Sequence, residues 1–169
     1  MDLYETILEK NSKAQCEKVV RYVGNDPKKF ADLMKLFLGS EPIIVQRAGW
    51  PLSYCVERYP ELLTPYFKNI VPLLEKPAIH NAVHRNVTRM LQYVDIPEKY
   101  HGRVLDACFK FVASHETEVA IKAFSLTILD NLSKIYPEIK QELKLVIEER
   151  WDHETAAFRS RAGKMLKKY

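Results

Sequence analysis

Proline recurs along this chain at a nearly constant interval, and each recurrence looks like the start of a helix. Pro60-Glu61-Leu62, Pro97-Glu98-Lys99 and Pro137-Glu138-Ile139 open three segments alike, 37 and 40 residues apart, with Asp26-Pro27 a weaker member 33 residues upstream. Proline in a first helical turn sacrifices no hydrogen bond, and an acidic residue beside it favours the positive end of the helix. Tyr59-Pro60 and Tyr136-Pro137 also mark where a preceding helix must stop. A period of this length, once present, constrains the fold more than any composition does.

The second half of each unit repeats as well. Val45, Gly49, Leu52 and Val56 are spaced by 4, 3 and 4 residues. Val83, Val87, Met90 and Val94 keep that spacing, as do Ile121, Ser125, Ile128 and Leu132, and finally Phe158, Ala162, Met165 and Tyr169. The leading residues lie 38, 38 and 37 apart, which places one apolar stripe on each of four helices. Small residues at the second position (Gly49, Ser125, Ala162) would let neighbouring helices approach closely. The residue following each leading apolar is Gln46, His84, Lys122 or Arg159.

Extended outward, these anchors predict about five antiparallel helix pairs, over residues 2–24, 27–58, 61–94, 98–135 and 138–168. In the first pair Asp2 and Glu5 have capping-box spacing, Ser12 suits an N-cap, and Gly24 suits the residue after a helix end. Connections are only a few residues long, as antiparallel neighbours require. No linker or low-complexity tract interrupts residues 1–169, so a single domain is expected. Pro51 falls inside the 42–58 helix and should kink or break it, and Pro65 and Pro72 trouble the 61–75 helix in the same way.

Composition agrees with this architecture. The chain has 169 residues, 47% of them hydrophobic and 28% charged, enough apolar material for a core and too much for disorder. Only five glycines argue against phosphate-binding loops and against a sheet fold rich in tight turns. Met1, Asp2, Tyr4 and Glu5 show no basic or apolar region of a signal peptide, and no long apolar run suggests a membrane span. Three scattered cysteines, Cys16, Cys55 and Cys108, suit free, mostly buried thiols in a reducing compartment. Cytoplasmic residence is the expectation.

A unit of about 38 residues, with proline opening its first helix and apolar–basic–x–x–small on its second, resembles the HEAT repeat. The motif stands at Phe158-Arg159-Ser160-Arg161-Ala162 and Ile121-Lys122-Ala123-Phe124-Ser125. Val83-His84-Arg85-Asn86-Val87 has a larger fifth residue, and Val45-Gln46-Arg47-Ala48-Gly49 lacks the basic second one. The resemblance spans about residues 26–169. It implies an all-α fold, an α-α superhelix or HEAT-like (armadillo-like) solenoid, whose second helices line the concave surface. It implies little about function, because stacked helix pairs serve many tasks.

On that expectation, the positions opposite the apolar stripe face the concave side. They are basic at Arg47, Arg58, Arg85, Arg89, Lys134, Lys164 and Lys167, with Asp130 as the single acid. Such a strip suits phosphates or an acidic partner, while an ordinary solvated helix face would carry the same residues. Arg47, Arg85 and Arg89 are the strongest members, since guanidinium groups bind oxyanions bidentately. The net charge of +4 equals that of residues 154–169 alone, so any pull on anions depends on arrangement.

Catalytic signatures are missing. His80 and His84 are four apart but lack a third ligand, and Asn81 stands where an HExxH motif has glutamate. No GxSxG, phosphate loop or GxGxxG occurs. HEAT-like DNA glycosylases share the architecture and use tryptophans and an acid beside the damaged base. Here Trp50 has only Glu57 as an acid on its helix, and Asp152, next to Trp151, is expected to cap the following helix. The reading is therefore a non-enzymatic interaction or scaffold module without cofactor or metal, binding a macromolecule, with protein the favoured partner. A nucleic-acid-binding, repair-associated protein is the alternative. A salt series on DNA binding separates the two.

Overall fold

A computed structural model describes residues 1–169, of which 77% are helical and none form a strand. Its helices belong to the all-α HEAT-like class read from the repeat. Packing divides the chain into two compact units, residues 1–95 and 96–169.

The first unit holds α1 (Leu3–Glu9), α2 (Lys13–Val23), α3 (Pro27–Phe37), α4 (Pro42–Arg58), α5 (Phe67–Ile70) and α6 (Asn81–Leu91). Helix ends follow the local chemistry. Asp2 accepts the Glu5 amide, Ser12 accepts that of Gln15, and Asp26 accepts those of Lys28 and Lys29 with Pro27 at the first turn. Gly24 ends α2 at φ +52°, a conformation that a side chain would strain. Helix α4 is the hub, touching α1, α2, α3 and α6. Its interior Pro51 is buried, and the helix continues through it to Arg58.

Residues 61–75, expected as one helix, are a correction. The backbone runs as a 3-10 helix over Pro60–Tyr66, the single turn α5, and another 3-10 helix over Val71–Glu75. Pro65 and Pro72 each remove a donor and crowd the carbonyl four residues back, so a continuous α-helix cannot form. Leu62, Leu63, Phe67, Ile70, Val71 and Leu74 are nevertheless all buried, so the segment still does the packing work of a first helix.

The second unit holds α7 (His101–Ala113), α8 (Val119–Ser133), α9 (Ile139–Arg150) and α10 (Ala156–Leu166). Helix α8 is its hub, contacting α7, α9 and α10. A 3-10 turn over Glu98–Tyr100 leads from Pro97 into α7. Buried His101 fixes that corner. Its Nε2 donates to the Ile96 carbonyl at 2.6 Å, which leaves Nδ1 to accept the Tyr136 hydroxyl at 2.9 Å. Asp152 does not cap α10. It lies in a 3-10 turn over Trp151–His153, and Thr155 is the cap, accepting the Phe158 amide.

Three of the leading apolar anchors (Val83, Ile121 and Phe158) and all four second-position residues are buried, while Val45 is half-buried. The closest approach is at Gly49, where a Cβ would lie 2.7 Å from Asn86 Nδ2 and 3.1 Å from Asn86 Cβ. Asn86 cannot simply swing away, because it is buried and Nδ2 donates to the Ala82 carbonyl at 2.8 Å. Cys16, Cys55 and Cys108 are free and buried, and burial pushes each thiol up to about 12, well away from thiolate reactivity.

Candidate functional site

The seven basic positions separate into different environments once their neighbours are present. In the first unit Arg47 is half-buried and occupied. Its Nη1 donates to the Leu8 carbonyl at 2.6 Å and, less well, to that of Ile7 at 3.4 Å. Those are among the last carbonyls of α1, which has no residues left to satisfy them. The open face expected for Arg47 is thus covered, and Pro51, one turn along, is buried too. The apolar residues of α1 and α2 need a surface to cover, and that face of α4 is where they pack. Arg47 acts as a cap on α1.

Arg89 sits in a cluster of its own. Its guanidinium lies 4.3 Å from the Tyr54 ring centroid, and its Nη2 is 3.7 Å from a Glu57 carboxylate oxygen. Trp50 extends the group, with its ring 6.5 Å from that of Tyr54. Spacing along one helix could not reveal this arrangement, because it brings α4 and α6 side chains together. Arg85 is half-buried on α6, and Arg58 is exposed at the end of α4, where a cation complements the helix dipole.

The second unit presents its cations differently. Lys134, Lys164 and Lys167 are all exposed. Lys134 reaches only Asn131 Oδ1, at 3.4 Å. Asp130, the one acid of the face, is already matched by Lys168 Nζ at 3.3 Å and the Tyr169 hydroxyl at 3.1 Å. Burial, with the Asp130 charge adding to it, pushes the Tyr169 phenol up to about 12, so Tyr169 stays a donor. Arg161 turns inward, donating to the Ala123 carbonyl at 2.8 Å.

A buried ionic cluster in the same unit is the largest feature that spacing did not disclose. Lys122, Arg150 and Glu154 are 2%, 4% and 8% exposed. Lys122 Nζ lies 2.5 Å from Glu154 Oε1, and Arg150 donates to that same oxygen from Nε at 3.1 Å and Nη2 at 2.8 Å. Arg150 Nη1 also lies 2.7 Å from His115 Nδ1, at the edge of a second ring, His153. Burial alone would raise the Glu154 carboxyl, but the Lys122 and Arg150 donors outweigh it and hold the group below its ordinary range. The only sequence signal was Lys122 at the basic position of the repeat motif; its partner lies 32 residues downstream.

The histidine pair does not converge. His80 is the N-cap of α6, its Nδ1 accepting the Ala82 amide at 3.1 Å, and it is exposed. His84 is buried, with Nε2 3.0 Å from the Leu73 carbonyl, and burial lowers its pKa despite that bond. Nowhere do three His, Cys, Asp or Glu side chains gather as metal ligands. No helix is long and apolar enough to cross a membrane.

Residues 3–169 match the HEAT repeat domain family. The chain belongs to that family. No curated protein and no solved structure matches it. HEAT-repeat membership accounts for the paired helices, the 38-residue period and the small residues at tight crossings. It also places the chain among helical repeat scaffold and interaction modules, in which side chains on stacked helices form the contact surface.

Proposed function

We propose that this HEAT-repeat chain is a non-enzymatic interaction module that holds an acidic protein partner on the faces its second helices turn inward. The observation that carries the reading is on α8 and α10. Lys164 on α10 and Lys167 at its C-cap carry no ion pair, while Asp130 is neutralised by Lys168 and hydrogen-bonded by Tyr169. The positive charge of these two exposed lysines is therefore left available to an acidic partner. In the first unit Arg58, exposed at the end of α4, is the remaining candidate, Arg47 being committed to α1 and Arg89 to Tyr54 and Glu57.

The test is co-purification of a stoichiometric protein partner from the source cells with wild type and with Lys164→Glu/Lys167→Glu. Loss of the partner with unchanged helical circular dichroism is the expected result. Retention by the double variant would remove these lysines from the site. Titration of fluorescent duplex and single-stranded DNA at 50 mM salt should show no binding; tight binding that weakens steeply with salt would replace the protein by a nucleic acid.

A further inference from the structure

A groove of about 370 Å³ lies in the first unit at the edge where first helices hand over to second helices. One wall is the α3–α4 turn with the start of α4; the other is the 76–80 turn with the start of α6. Its volume falls at the lower end of ligand-binding clefts. The surface is largely apolar, formed by Leu38, Val45, Leu73, Ile79 and Val83, and Leu38 is 37% exposed.

Its electrostatics have one sign. Lys76 and His80 are the only ionisable side chains lining the groove, and no carboxylate does so. Helices α4 and α6 both begin here, so two positive dipole ends point at it. Helix α4 starts without a side-chain cap, because the Glu41 carboxylate is turned away to accept the Tyr4 hydroxyl at 3.0 Å. His80 uses Nδ1 as an acceptor for the Ala82 amide, so its ring proton resides on Nε2, a donor at the rim. The half-buried carboxamide of Gln46 lines the floor, with a donor and an acceptor suited to a peptide backbone.

We infer that this groove docks an extended segment of a partner protein in which an apolar side chain is flanked by a side-chain carboxylate. The apolar group fills the floor between Val45 and Val83, and the carboxylate meets Lys76 and the His80 Nε2–H. Neither Lys164 nor Lys167 takes part, so this docking stands or falls independently of the function proposed above.

The probes are fluorescein-labelled, C-terminally amidated hexapeptides alternating Leu with Asp, and matched series with Asn or Lys replacing Asp. They are titrated against the full chain by anisotropy, with methyl NMR shifts of Val45, Ile79 and Val83 locating the contact. The Asp series should bind in the micromolar range, about tenfold tighter than the Asn series, and weaken several-fold from 50 to 300 mM salt. Lys76→Glu and Leu38→Ser, both at exposed positions, should each cost at least about fivefold in affinity, while Lys164→Glu/Lys167→Glu changes nothing. Equal binding of the Lys series, or no methyl shift at millimolar peptide, overturns the inference. So does tighter binding of a phosphoserine peptide or a single-stranded oligonucleotide at the same methyls. A dimer in sedimentation that Leu38→Ser dissolves would assign the groove to a second copy instead.

Discussion

The two units handle the same repeat position in opposite ways. After the leading apolar residue of each second helix, the first unit has Gln46 and His84, and the second has Lys122 and Arg159. His84 is buried neutral against the backbone of Leu73 and Lys76, and Gln46 is a neutral amide at a groove. Lys122 is buried charged, which obliges the next helix pair to supply Glu154 and then Arg150. The first unit therefore relies on shape at this crossing, with Gly49 against Asn86, and the second on a charge network. An ionic crossing is directional and specifies its partner, but it leaves a large penalty if one member is lost.

The sharpest way to break this contrast is to delete the carboxylate. Glu154→Ala leaves Lys122 and Arg150 buried without a counter-charge, and about 3–5 kcal/mol should be lost, read as faster hydrogen exchange confined to residues 96–169. Replacing all three together (Lys122→Met, Arg150→Met, Glu154→Leu) should restore most of that stability. If Glu154→Ala is silent in exchange, the network contributes nothing to the second unit. For the first unit the corresponding test is steric. Gly49→Val should cost about 1–3 kcal/mol by forcing α4 and α6 apart, with exchange rising in α4 and α6. A neutral outcome would show that Asn86 yields.

Arg47→Met tests the cap on α1. Losing its bond to the Leu8 carbonyl should cost about 1 kcal/mol and fray α1, with protease cleavage appearing first within residues 3–9. An unfrayed α1 would return Arg47 to the set of available cations. The smallest expected effect is in acid, and it sharpens the comparison by order. Both His84 and Glu154 have native pKa values below their ordinary 6.5 and 4.5, so the stability each adds is complete above that value. That stability is lost as pH falls toward the native value. Exchange protection in the first unit should begin to fall below about pH 6.5, and that of the second only below about 4.5. His84→Gln should abolish the early phase; the reverse order would contradict these assignments.

Much of the fold was legible because helix signals are local. Asp2, Ser12, Gly24 and Asp26 cap or stop helices as their identities indicate, and the 4, 3, 4 spacing marked which faces are buried. Pro65 and Pro72 announced trouble, but not that the segment would keep its packing register through two 3-10 turns. Site residues were less legible. A helical wheel shows which residues point away from one stripe, and it says nothing of a second neighbour arriving on the opposite side. That is why Arg47 looked open and is covered, while Lys164 on the last helix and Lys167 just past its end are exposed.

What the sequence determined by itself, then, is the period, many of the helix ends and most of the membership of the apolar stripes. These follow from backbone geometry and from residues within one or two turns of each other. Only the tertiary structure decided that Arg47 closes α1, that Arg89 stacks on Tyr54 and that Lys122 meets Glu154. Each of those pairings joins residues 32 to 39 positions apart, across a helix crossing. Long side chains have the reach to satisfy whichever polar group the neighbouring helix delivers, so their roles are set by packing and not by local spacing.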